Sequence, residues 1–210
     1  MRKIQAWVVS ATLLCVVALV STVPALAIGT VAGTNITNTA TVAYKDVNGN
    51  NLSATSNTVT TTVSQVAAVD ISPNNSSTAD PGDVVSYPHT ITNNGNGTDT
   101  IDVSFVSSQG WTVQIFADTN GNGVVDLGEP LLSDTDGDTT PDTGALTHDT
   151  NVKIVVRVTV PVGTADNTVD VTTLTATSSF NTSISDTATD TTTVSAPSLT
   201  VTKSVAPLGN

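Results

Sequence analysis

Apolar and polar residues alternate with a period of two through several windows of the chain. Val152, Ile154, Val156, Val158 and Val160 fall on one side, with Lys153, Arg157 and Thr159 opposite. Ile101, Val103 and Phe105 form a second set, Trp111, Val113 and Ile115 a third, and Val85, Tyr87, His89 and Ile91 a fourth. This period places successive side chains on opposite faces of a strand, one buried and one wet. Turn-forming clusters separate the windows: Asp80-Pro81-Gly82-Asp83, Asn93-Asn94-Gly95-Asn96-Gly97 and Pro161-Val162-Gly163. No window past residue 27 carries a helical period. About seven short strands between Val66 and Val194 predict an all-β fold, an Ig-like two-sheet β-sandwich.

The first residues read differently. Arg2 and Lys3 precede an apolar stretch from Ala6 to about Val23, closed by Pro24-Ala25-Leu26-Ala27. That order is a secretory signal peptide, residues 1–27, cleaved near Ala27. Cys15 lies within it and follows Leu14, not the small residue that a lipoprotein site needs, so the exported chain is expected to hold no cysteine and no disulfide. Losing Arg2 and Lys3 leaves four Lys and Arg against 18 Asp and Glu, a net charge of −14. Such a surface repels nucleic acid and anionic lipid and attracts cations. No membrane insertion is expected after cleavage. Thr, Ser and Asn are abundant enough to suggest disorder, but the strict alternation argues for strands.

Two segments repeat. Residues 36–73 and 169–207 each give a strand, a turn and a strand ending in Thr-Thr-Thr-Val, at 60–63 and 191–194. A small-residue link and a new alternating strand follow in each. Biased composition is the plain alternative, since Thr- and Val-rich strands resemble one another. Taken as a true repeat, the pattern divides the exported chain into an N-terminal β-hairpin (28–65), a sandwich (66–196) and a C-terminal strand or linker (197–210). The hairpin matches the closing strands of a sandwich whose other strands are missing, and Leu199–Val205 matches an opening strand. Both need partners, because lone hairpins are marginal in water and lone strands are open edges. Self-association by strand addition, or docking on neighbouring surface-protein modules, is the expected remedy.

The ordered run GTNITNTATVAYKDVNGN, SNTVTTTV, DPGDVVSYPHTITNNGNGTDTIDV, GWTVQIFADTNGNGVVDLGE and VKIVVRVTVPVGTADNTVDVTTLTATSS resembles the DUF11-type repeat domain of bacterial and archaeal cell-surface proteins. The resemblance covers nearly all of the chain past residue 27. It implies Ig-like sandwiches in tandem arrays on large surface or secreted proteins, with no catalytic residues to carry over. This chain differs in holding a single complete module.

One motif carries metal chemistry. Asp118, Asn120, Asn122, Asp126 and Glu129 stand at positions 1, 3, 5, 9 and 12 of a calcium loop. Gly123 at position 6 permits the sharp turn, and Val124 at position 7 offers a backbone carbonyl. Glu129 is the only glutamate, against 17 aspartates, and its longer arm suits a bidentate ligand. A strand, not a helix, leads into the loop, and an Asn/Gly-rich hairpin with incidental acids is the alternative. A second acidic run, Asp134, Asp136, Asp138 and Asp142, has Thr139 where a glycine is expected. It reads as a second calcium site or as a solvated acidic loop. Bound Ca²⁺ would explain how 118–142, long for an unstructured connection, stays ordered. Asp46-Val-Asn48-Gly-Asn50 lacks a downstream acid and reads as a hairpin turn.

Catalysis has little support. His89 lies on an apolar face and reads as a hydrogen-bonded core residue, and His148 sits in a turn beside Asp149. Sequons at Asn35, Asn51, Asn75, Asn96 and Asn181 follow from composition. The sequence therefore predicts a secreted, cell-surface structural unit of a layer, filament or repeat array, stabilised by calcium, and not an enzyme. An adhesin or carbohydrate-binding module is the alternative.

Overall fold

A computed structural model describes residues 29–196 and 202–204. The expected signal peptide and most of Leu199–Val205 lie outside the described residues; Thr202–Ser204 are exposed and in no strand. The described chain forms thirteen strands: β1 Asn35–Asn38, β2 Thr41–Lys45, β3 Asn51–Thr55, β4 Val59–Thr62, β5 Val69–Ser72, β6 Asn75–Ala79, β7 Val84–Asn93, β8 Asp99–Ser107, β9 Thr112–Ala117, β10 Asp142–Leu146, β11 Thr150–Thr159, β12 Val169–Ser178 and β13 Ser185–Val194. Among the described residues no helix is long and apolar enough to cross a membrane.

Nine strands, β5 to β13, build the sandwich. One sheet runs β10-β8-β12-β13-β6, the other β5-β7-β11-β9. The expected count of seven was too low for two reasons. The chain changes sheet at Pro73, splitting the opening strand into β5 and β6. The end of the acidic segment then supplies β10, which the run of turn-forming residues concealed.

Alternating residues of both sheets meet in one core: Ile71, Tyr87, Ile91, Ile101, Val103, Trp111, Val113, Ile115, Ile154, Val156, Val158 and Leu174 are all buried. Phe105 departs from its expected face mates and is 43% exposed. The cause is local: β10 pairs with β8 only at Asp99, Thr100 and Asp102, so the sandwich is uncovered beside Phe105.

A polar seam crosses the core of the five-stranded sheet. Asp170, Thr172, Asp190 and Thr192 are completely buried. Asp170 accepts from the Ser107 and Ser108 hydroxyls, the Gln109 N–H (2.9 Å) and the Thr172 hydroxyl (2.8 Å). Asp190 accepts from Asn75 Nδ2 at 3.0 Å and faces His89 Nε2 at 3.0 Å. Hydrogen bonds thus satisfy carboxylates that would otherwise be costly to bury.

The chain enters the sandwich at Val69, opposite Asn93, and leaves at Val194, beside Ala79, at the other end. β6 and β13 run parallel; every other strand pair is antiparallel.

β1 to β4 form an arm of two nested ladders, β1 on β4 and β2 on β3, closed by the Asp46 turn. The Asn48 and Asn50 N–H groups donate to Asp46, and hydrogen bonding led by Asn50 holds its carboxyl below the usual range. Every residue of the four arm strands is exposed. Asn96 ties the arm to the sandwich. Its Oδ1 accepts from the Val66 N–H (2.7 Å), and its Nδ2 donates to the Thr30 and Ser64 carbonyls (3.1 Å each). Gly95 allows this close approach, since a Cβ there would lie 2.7 Å from the Val66 carbonyl oxygen. The amides of Asn75 and Asn96 donate within the protein, so these two sequons do not present a free acceptor nitrogen.

Candidate metal centre

β9 leads into the 118–142 segment, and β10 closes it. Bridges Phe116–Leu131 and Ser133–Asp142 pin its middle, dividing it into two loops. In the first, Asp118 is buried and acts as the hub. Its Oδ1 accepts from the Gly121 N–H (2.6 Å) and Asn122 N–H (3.2 Å), its Oδ2 from the Gly123 N–H (2.9 Å). Asn120 Oδ1 accepts from the Asn122 N–H, and Asn122 Oδ1 from the Val124 N–H, both at 3.0 Å. Glu129 spans the loop, Oε1 taking the Thr119 N–H and Oε2 the Asp126 N–H. Asn120 and Asn122 each donate from Nδ2 to Asp126 Oδ2 at 2.7 Å.

Among the described residues, the carboxylate oxygens of Asp118, Asp126 and Glu129 are not brought within 4.8 Å of one another. A cation in this loop would need both amides turned so that Oδ1 replaces Nδ2. The donor set fits calcium, which takes six to eight oxygens including carboxylates, amides and carbonyls.

The second loop repeats the frame. Asp134 accepts from the Gly137 N–H (2.7 Å) and Thr139 N–H (2.9 Å), as Asp118 does from residues three and five onward. Asp136 and Asp138 each take the N–H two residues ahead. Asp142, at the ninth position, reaches back to the Thr135 N–H, the role Glu129 plays from the twelfth. Thr139 adopts φ 82°, against 80° for Gly123. A β-branched residue in this region is strained. Thr139→Gly is expected to raise stability by about 0.5–1 kcal/mol, read as a higher urea midpoint with unchanged slope.

Carboxylate oxygens converge within 4.8 Å in two triads, Asp134–Asp136–Asp142 and Asp102–Asp136–Asp138. Asp102 was invisible to the sequence reading. It sits between Ile101 and Val103 in a strand, 32 residues before Asp134, where alternation marks it only as an outward polar position. Burial pushes its carboxyl up, the Ser179 hydroxyl partly offsets this, and the negative Asp138, Asp136 and Asp142 add to the rise. Burial would also raise Asp142, but the Thr135 hydroxyl and N–H and the Gly144 N–H together hold it below the usual range. The Gly137 and Thr139 N–H groups do the same for Asp134.

His89 is buried as expected, yet its Nδ1 has no hydrogen-bond partner. It lines a small pocket of about 250 Å³ together with Asp118, Asn122 and Lys153. His148 Nδ1 lies 3.2 Å from its neighbour Asp149.

No protein-family model matches the chain, and no curated protein matches it. Among solved structures, it is similar to domains 4 and 5 of the S-layer protein SbsC, at 16% identity and TM-score 0.30, over 80% of this chain and 74% of that one. It is also similar to a PapD-like domain of human CEP192, at 14% identity and TM-score 0.34, over 63% of this chain and 87% of that one. A family 123 glycoside hydrolase from Clostridium perfringens aligns at 12% identity and TM-score 0.37, over 64% of this chain and 28% of that one. Scores at this level carry no functional assignment.

Proposed function

We propose that the protein is an extracellular structural unit of a surface layer, filament or repeat array, stiffened by calcium and assembled from copies of itself. The observation that supports this most directly is the twice-built loop frame: two consecutive acidic segments folded to the same plan, with Asp118 and Asp134 as equivalent hubs. Calcium, when bound, supplies the positive charge that 118–142 lacks. Asp118, Asn120, Asn122, the Val124 carbonyl, Asp126 and Glu129 would hold one ion. Asp134, Asp136, Asp138 and Asp142, joined by Asp102, would hold another. Export, read from residues 1–27, brings the chain to the millimolar calcium that extracellular modules use.

The order of motifs fits the DUF11-type surface repeat, which supports the same role. The assembly reading is tested by light scattering and electron microscopy of the exported protein. Oligomers or filaments are expected in calcium, and a monomer with and without chelator would refute it.

A further inference from the structure

The arm carries one apolar face. The pairs Val42–Ala54 and Tyr44–Leu52 share a face of the β2–β3 ladder, and residues on the other face, Thr41, Lys45, Asn51, Ser53 and Thr55, are polar apart from Ala43. On β1–β4, Ile36 and Val59 likewise share a face, each opposite a polar partner. Tyr44 is 50% and Val42 59% exposed, and the arm's own sandwich covers none of its strands. The repeat gives the expected cover for such a face. In the matching hairpin, β12 with β13, the inner pairs Leu174–Ala188 and Asp170–Thr192 are buried inside the sandwich.

The sandwich has a matching vacancy. Between β8, β9 and the pinned acidic segment lies an open groove of about 480 Å³, lined by Val103, Phe105, Val113, Ile115, Leu131 and Pro141. Beyond Val103, β8 pairs only with β12, so the other edge of Ser104–Val106 carries no strand. Phe105 and Leu131 stand exposed at the rim.

We propose that the arm of one copy docks along this free edge of β8 in a second copy. Its ladder extends the five-stranded sheet, and Val42, Tyr44 and Leu52 close over the groove. This names the contact behind the assembly reading above and rests on it. Charge favours this pairing over others. Seventeen of the 18 acids lie in residues 66–196 against only Lys153 and Arg157, whereas residues 29–65 hold one acid, Asp46, and one cation, Lys45. Two sandwiches repel, and the neutral arm is the part that can approach. Arms packed face to face would cover their apolar residues but leave the β8 edge unpaired. Docking beside β8 satisfies both needs, as in recognition by strand addition.

Past residue 27 the sequence holds no cysteine, so single cysteines placed there report the contact. Leu52→Cys protein is mixed with Leu131→Cys protein and treated with a short thiol cross-linker. The expected product is a mixed dimer of the two variants, exceeding Leu52–Leu52 and Leu131–Leu131 products. Predominant Leu52–Leu52 dimers, or oligomers by scattering with no mixed product, would overturn the docking site and leave the assembly reading standing. A monomer by scattering would overturn both. Independently, Tyr44→Ser with Leu52→Ser is expected to weaken association about tenfold or more, with the sandwich melting point unchanged because both residues are exposed on the arm. Wild-type association by that variant would also overturn the proposal.

Discussion

Glu129→Gln is expected to remove the first loop's share of calcium stabilisation. Extracellular calcium modules bind at about 10⁻⁴–10⁻³ M. At a free concentration about 20-fold above the tighter value, one site adds roughly 2 kcal/mol. For a domain of this size that is a rise of about 5–8 °C in melting temperature. The wild-type protein should therefore melt higher in calcium than in chelator by at least this amount. Glu129→Gln should lose one site's increment, and further replacing Asp134 by Asn should remove what is left. The variant keeps most of its apo structure, because a glutamine can still accept the Thr119 or Asp126 N–H that Glu129 takes now. Differential scanning calorimetry with and without calcium makes the comparison. Identical curves for the wild-type protein in the two conditions would refute the metal centre, whatever its loop geometry.

The second large effect lies in the core. Asp170→Ala is expected to destabilise the sandwich by about 3–4 kcal/mol, since hydrogen bonds to a charged group contribute ~1.5–3 kcal/mol each and the orphaned donors stay buried. Asp170 is completely buried and joins β12 to the turn that follows β8, through Ser107, Ser108 and Gln109. Urea unfolding followed by fluorescence of Trp111, which packs just past that turn, reads the loss. A change under 1 kcal/mol would show that water enters and replaces the carboxylate.

Both predictions rest on features that the sequence exposed unequally. Period-two alternation located β7, β9 and β11 nearly residue by residue, because one face of each meets the core and the other meets solvent or a polar neighbour. It misread Phe105, since alternation reports a side and not whether anything covers it. It missed β10 altogether, because Asp142–Leu146 looks like turn chemistry until β8 pairs with it. The first loop's frame was legible because every N–H donor to Asp118 and Glu129 lies within the loop itself. Asp102 was not, because its approach to Asp136 and Asp138 depends on which strand lies beside the loop. Thr139 departs from the glycine that the spacing expects, yet its backbone adopts a glycine-like φ, which residue type alone does not reveal. The buried Asp170 and Asp190 also escaped the reading. A charged residue at an inward position looks like an outward one until its donors are found.

The way the chain passes through the sandwich bears on how it responds to pulling. Tension applied to the two ends of the sandwich enters at Val69 and leaves at Val194, at opposite ends. The parallel pairing of Asn75–Ala79 with Asp190–Val194 ties the opening and closing segments together. Force along that axis slides the two strands past each other, so their hydrogen bonds are strained together and must break together. An antiparallel hairpin pulled from its open end yields one bond at a time. The arm, closed by the Asp46 turn and held at its base by Asn96, is loaded in that weaker way. The same chain thus joins a rigid link to an extensible one, and under load the arm would lengthen before the sandwich gives way.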